Sequence, residues 1–154
     1  MPDTVQHFIV NQARTWLGTP FHHQARLKRV GCDCLGLIIG VVDELGLRDR
    51  HGQRLAGYDE VSYSREPDGA YLTQKIAALL DEVPVVEAQA GDLALFAMGD
   101  NPQHLAILTE EDGTLGMIHC YAQARCVVEH RLDEEWKQRL VAVFRLPETQ
   151  RNQA

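Results

Sequence analysis

The sequence predicts an α+β fold, with helices in the first half and antiparallel strands in the second. In separate stretches before Glu82 the apolar residues recur at spacings of three and four, the period of a half-buried helix. From Gly91 they fall instead into short alternating runs between turn residues, the signature of a β-meander. A length of 154 residues fits one domain, and 45% apolar against 24% charged residues supply enough material for a real core. We therefore read one domain over 1–148, followed by a polar tail at 149–154.

Thr4 stands where an N-cap belongs, and Val5, Phe8, Ile9, Ala13 and Trp16 follow on one helical face, which ends by Gly18. Gly18, Pro20 and Gly31 then bracket a loop carrying His22, His23, Arg26, Lys28 and Arg29, a basic patch in an acidic chain. Asp33 precedes an apolar run from Cys34 closed by Gly46, a capped helix that places Cys34 in its first turn. Arg48 to Asp68 is polar and aperiodic, an irregular excursion of the kind that often carries function. Ala70 to Glu82, with Leu72, Ile76, Leu79 and Leu80 on one side, reads as a further helix stopping before Pro84. Strands are expected at Leu93 to Met98, Leu105 to Thr109, Leu115 to Tyr121, Val127 to His130 and Leu140 to Leu146, with Asp112-Gly113 as the clearest hairpin turn. The resulting sheet should carry the helices on one face.

Several function classes are disfavoured by composition. Fifteen Lys and Arg against 22 Asp and Glu leave a net charge of −7, which opposes nonspecific nucleic-acid binding through phosphate neutralisation. The longest uncharged apolar stretch, Cys34 to Val42, is far short of the roughly 20 residues a membrane-spanning helix needs. Met1 to His7 lack the basic start and apolar run of a secretory signal, so the expectation is synthesis in the cytoplasm without a signal peptide, and no membrane insertion. Cys32, Cys34, Cys120 and Cys126 are expected as free thiols.

A cysteine at a helix N-terminus faces free backbone N–H groups and the positive end of the helix dipole, which favour its thiolate. Cys34 is placed for this, although a buried free cysteine is more commonly a small hydrophobe. His104 opens the apolar strand Leu105 to Leu108, and His119 sits on the next strand, where the two can be cross-strand neighbours. A thiol, an imidazole and a third polar group that orients the imidazole are the parts of nucleophilic acyl transfer.

Five ordered motifs carry a resemblance: Gly18-Thr19-Pro20-Phe21, Gly31-Cys32-Asp33-Cys34-Leu35-Gly36-Leu37, Gly91-Asp92-Leu93-Ala94-Leu95-Phe96, His104-Leu105-Ala106-Ile107 and Ile118-His119. Together they resemble the NlpC-type cell-wall peptidases, which are papain-like cysteine peptidases, over about residues 5 to 146. The resemblance implies an NlpC-type α+β fold and hydrolysis of peptidoglycan stem peptides between γ-D-glutamyl and a diamino acid, with no cofactor and no metal. It implies Cys34 as nucleophile, His104 as base and acid, and His119 as the residue orienting His104. Asp33 would meet the free amino terminus of the stem peptide, with Phe21 and His23 beside it as substrate-binding residues. The Cys34 N–H would contribute to the oxyanion hole. Two positions depart from the family pattern: Phe21 stands where a tyrosine is usual, and Leu35 follows the nucleophile in place of serine. The Gly-Cys-Asp-Cys-Leu-Gly-Leu form is most similar to members encoded among phage tail genes. That branch implies a virion location and tail-tip proteins as partners.

Three rival readings remain at this point. A metal site could gather Cys32, Cys34, Cys120, His119, Cys126 and His22 or His23, but Cys-x-Cys is not the usual zinc-knuckle spacing. A catalytically silent structural module of a phage tail would use the same fold, and acyltransferase or amidase chemistry would use the same Cys/His apparatus, transfer passing through the same thioester as hydrolysis. His7, His51 and His130 read as surface residues, and Trp16 and Trp136 as residues that pack against the sheet.

Overall fold

The computed structural model describes residues 4–49, 51–55, 69–99 and 101–146, and for 69–72 and 101–103 the backbone path alone. Helix α1 spans Val5–Arg14, started as expected by Thr4, whose Oγ accepts the His7 N–H at 3.2 Å. Val5, Ile9 and Ala13 bury its apolar stripe, and Trp16 follows in the next turn. Residues Arg26–Leu27 (β1) and Gly31–Cys32 (β2) pair as a short antiparallel hairpin where a loop was expected. Strands of two residues are too short to leave a periodicity in sequence. Helix α2, Cys34–Leu45, runs from an Asp33 N-cap to a Gly46 C-cap, both as read from the sequence.

Gly40 is where α1 and α2 meet. A Cβ there would lie 2.2 Å from the Trp16 ring, so the indole sits directly on the helix backbone. Its Nε1–H donates to Glu44 Oε1 at 2.6 Å, which satisfies the polar end of a buried ring.

Helix α3 covers Gly69–Leu79, and the chain then turns into strand β3, Asp81–Val83, instead of continuing as helix to Glu82. The final strand β8, Leu140–Arg145, pairs with β3, and the exposed Asp81 and Glu82 guard an outer strand against further pairing. Between them run β4 (Leu93–Met98), β5 (Asn101–Glu111), β6 (Thr114–Cys120) and β7 (Val127–Arg131). The six strands form one sheet in the order β3-β8-β4-β5-β6-β7, so the expected meander is present and β8 returns beside its first strand. Asp112 and Gly113 both adopt positive φ at the β5–β6 turn, as a type I′ hairpin requires.

The sheet is covered on both faces, which corrects the expectation of helices on one face only. Leu93, Leu95, Leu105, Ile107 and Ile118 face the core shared with α1 and α2. Ala94, Phe96, Ala106, Leu108 and Met117 face the opposite way, onto Trp136 of helix α4, Glu134–Arg139. The signals for α4 are Asp133, which caps the Trp136 N–H at 3.0 Å, and two acidic residues in the first turn. No helix among the described residues is long and apolar enough to cross a membrane. The excursion after Arg48 is described only to residue 55; residues 56–68 and the tail at 149–154 lie outside the described residues.

Candidate active site

Helix α2 delivers Cys34 to the middle of the sheet. It packs on β5 and β6, and Cys34 is its first residue. The β5–β6 register ends at Ile107 opposite Ile118; two residues beyond it, the Leu105 N–H hydrogen-bonds the Cys34 thiol. The sulfur therefore meets β5 at the residue next to His104. Burial pushes this thiol up to about 12, against the pull of the Leu105 and Leu35 N–H groups and with a smaller push from Asp33. Desolvation outweighs the helix terminus, so the resting sulfur is a neutral thiol and not the preformed thiolate the helix position suggested.

His104 and His119 meet as expected: His104 Nε2 lies 2.8 Å from His119 Nδ1. Beyond them the structure adds a residue that the sequence reading had left on the surface. His119 Nε2 lies 2.7 Å from His130 Nε2, and His130 Nδ1 lies 2.8 Å from the Arg131 carbonyl oxygen. The three histidines thus form one continuous hydrogen-bonded row across β5, β6 and β7. The β6–β7 register sets Met117 opposite His130, which brings His130 to the face that carries His119. Only that register reveals the partnership.

Aromatic rings wall the row. Trp136 lies 5.4 Å from His104 and 5.0 Å from His119, and Tyr121 stacks on His119 at 4.7 Å with an interplanar angle of 12°. Trp136 therefore does pack against the sheet, and what it covers is the histidines. Burial lowers His104 to about 4, with a further push from Arg139, and lowers His119 to about 2, with the neighbouring histidines adding to the effect. Both imidazoles are neutral at physiological pH.

Asp33 ties the site together from below. Its Oδ1 accepts the Gly36 N–H at 2.8 Å and lies 3.2 Å from Arg26 Nη1, while Oδ2 accepts the Gln24 N–H at 2.8 Å. His23 stands beside it, Nδ1 to Oδ2 3.8 Å, and not in the histidine row. Gly36 permits this close weave, because a Cβ there would lie 2.0 Å from the Ala25 carbonyl oxygen. Phe21 packs against the α1–α2 core, and its N–H donates to the Arg125 carbonyl at 2.8 Å. Replacing Asp33 by alanine removes a helix cap and the carboxylate beside a part-buried guanidinium, which should cost about 3 kcal/mol of stability. Urea unfolding should show Asp33→Asn, which keeps a capping oxygen, losing clearly less; equal losses would mean that the cap contributes nothing.

Cys32 and Cys120 are fully buried, with the Cys120 thiol donating to the Cys32 carbonyl at 3.2 Å, and all four cysteines are unbridged, as expected. Cys126, just before β7, is half-buried, and its backbone pairs with that of Pro20.

The NlpC/P60 family matches residues 18–145. The fold is similar to that of an NlpC/P60 family protein from Bacillus cereus, with a TM-score of 0.65 at 22% identity over 95% of this chain and 42% of that one. A Staphylococcus aureus protein described as similar to a lipoprotein of the NLP/P60 family gives 0.61 at 23% identity over 95% of this chain and 42% of its own. The chain thus spans under half the length of either relative. The NlpC/p60 domain of the peptidoglycan hydrolase SagA gives 0.61 at 20% identity, over 92% of this chain and 98% of the domain. No curated protein matches in sequence. With the family pattern running from the turn after α1 to the end of the last strand, on a fold shared with these structures, this chain belongs to the NlpC/P60 family.

Proposed function

We propose that this protein is a cysteine peptidase that hydrolyses peptidoglycan stem peptides, with Cys34 as nucleophile, His104 as base and acid, and His119 orienting His104. One observation carries the reading: the Cys34 thiol is hydrogen-bonded to the residue next to His104, at the point where β6 has left β5. Through that opening, in this reading, the thiol on the α2 face would meet the imidazole rooted on the other. His104 Nε2 is engaged by His119, which leaves Nδ1 to take the thiol proton.

The steps follow from these positions. Nδ1 of His104 takes the Cys34 proton as the sulfur attacks the amide carbon, and the new C–S bond places a negative charge on the carbonyl oxygen. The Cys34 N–H, which as a first-turn amide has no partner within the helix, is proposed to receive that charge. His104 then gives its proton to the leaving amine and later activates the water that hydrolyses the thioester. Membership of the family favours the γ-D-glutamyl to diamino acid bond. Asp33, Phe21 and His23 would line the adjoining subsite. There an incoming amino group would exchange with the Arg26 guanidinium on Asp33. The Gly31 to Leu37 motif favours the tail-associated branch of the family, hence a virion location and tail-tip partners.

Digestion of purified Gram-negative peptidoglycan, followed by mass spectrometry, tests this directly. The parent should release a fragment whose mass names the bond, and Cys34→Ala should release none. Cleavage undiminished in Cys34→Ala would overturn the assignment; no cleavage by the parent, with an inert thiol, would favour the silent tail module.

A further inference from the structure

We propose that His130 is a positioning residue that, through His119, sets the tautomer of His104 and so makes its Nδ1 a base. The proposal rests on the peptidase reading for its catalytic meaning, but its geometry stands alone.

The argument starts at the far end of the row. A carbonyl oxygen only accepts, so His130 Nδ1, 2.8 Å from the Arg131 oxygen, must carry a hydrogen. A neutral imidazole has one N–H, which makes His130 Nε2 an acceptor. His119 Nε2, 2.7 Å away, must then donate, and His119 Nδ1 becomes the acceptor. His104 Nε2, 2.8 Å from that atom, must donate in turn, and its Nδ1 is left with a free lone pair. One backbone carbonyl on β7 thus dictates which nitrogen of a buried histidine two strands away can take a proton. His104 and His119 are buried, with 5% and 0% exposure, so water cannot reset the pattern, whereas His130 is only half-buried.

The same row gives the catalytic proton a place to go. When Nδ1 of His104 accepts the thiol proton, its Nε2 proton can pass to His119 Nδ1, and the His119 Nε2 proton to His130 Nε2. The balance is one proton gained by the row, and the charge moves from a buried ring to the half-buried one. The reverse shift returns it to Nδ1 for the leaving amine. The titratable and charged groups that face the row are Tyr121, stacked on His119, and Arg139 of α4, which acts on His104; Glu129 and Arg131 flank His130 on β7 but alternate to the opposite face, where Arg14 of α1 holds Glu129.

A cation at position 130 that can only donate must invert the whole row. In His130→Lys, His119 Nε2 is forced to accept, its Nδ1 to donate, and His104 to carry its proton on Nδ1. In His130→Gln, the amide oxygen still accepts from His119 and the amide nitrogen still donates to Arg131. Ring ¹⁵N shifts should show the parent's His104 protonated on Nε2, the same in His130→Gln, and the swap in His130→Lys. Alkylation of Cys34 by iodoacetamide at neutral pH should slow about tenfold or more in His130→Lys and stay close to the parent in His130→Gln. A parent His104 protonated on Nδ1, or a His130→Lys protein with unchanged tautomers, overturns the proposal. Neither measurement needs a substrate, so the expected tautomers in a parent that cuts no stem peptide would sink the peptidase reading and leave the row standing.

Discussion

Replacing His104 with alanine should lower kcat/KM for stem-peptide cleavage by about 10³- to 10⁴-fold. The thiol it serves is held as a neutral acid near 12, so without an adjacent base almost no thiolate forms at neutral pH. The same imidazole must later protonate the leaving amine, so both chemical steps fail together. His119→Ala removes the ring that accepts from His104 Nε2 and holds it in place, and leaves the base itself. A hydrogen bond to a ring that becomes charged contributes about 1.5 to 3 kcal/mol, so the loss should be about ten- to a hundredfold. Steady-state rates on a purified stem peptide separate the two, and a larger loss in His119→Ala than in His104→Ala would exchange their roles.

Acid should unfold this protein unusually early. The folded state holds His104 at about 4 and His119 at about 2, both below the ordinary histidine value of 6.5. In the unfolded chain both titrate near that value, so below pH 6.5 unfolding takes up protons and stability falls as the pH falls. Each proton costs about 1.4 kcal/mol per pH unit, so the two rings together should remove on the order of 5 kcal/mol between about pH 6.5 and pH 4. That rivals the whole stability of a typical domain, about 5 to 15 kcal/mol. Urea midpoints at pH 7, 5.5 and 4.5 should drop steadily, and a protein carrying both His104→Leu and His119→Leu should show a shallower slope. Coincident midpoints would mean that the folded row takes up protons and is not held neutral.

Much of this fold was legible in one sequence because it is written in local rules. Thr4, Asp33 and Gly46 mark helix ends through hydrogen bonds made within a few residues, and Asp112-Gly113 fixes a hairpin by its own backbone angles. The early end of α3 was not legible, because Asp81 to Val83 continue a helical pattern and become strand only by pairing with β8, some sixty residues later. Helix α4 was legible and overlooked: Asp133 and its acidic first turn are an ordinary start signal.

The sequence by itself determined the two-part architecture, the placement of Cys34 at the head of a capped helix, and the pairing of His104 with His119 across neighbouring strands. These follow from short-range periodicity and from the order of the motifs. Only the tertiary structure decided the state of the thiol and the membership of the histidine row. Cys34 is a neutral acid because the sheet desolvates it, a cost that the helix N-terminus does not repay and that no local pattern records. His130 joins His119 because β6 and β7 pair in one register, and a shift of one residue would turn it to the opposite face of the sheet.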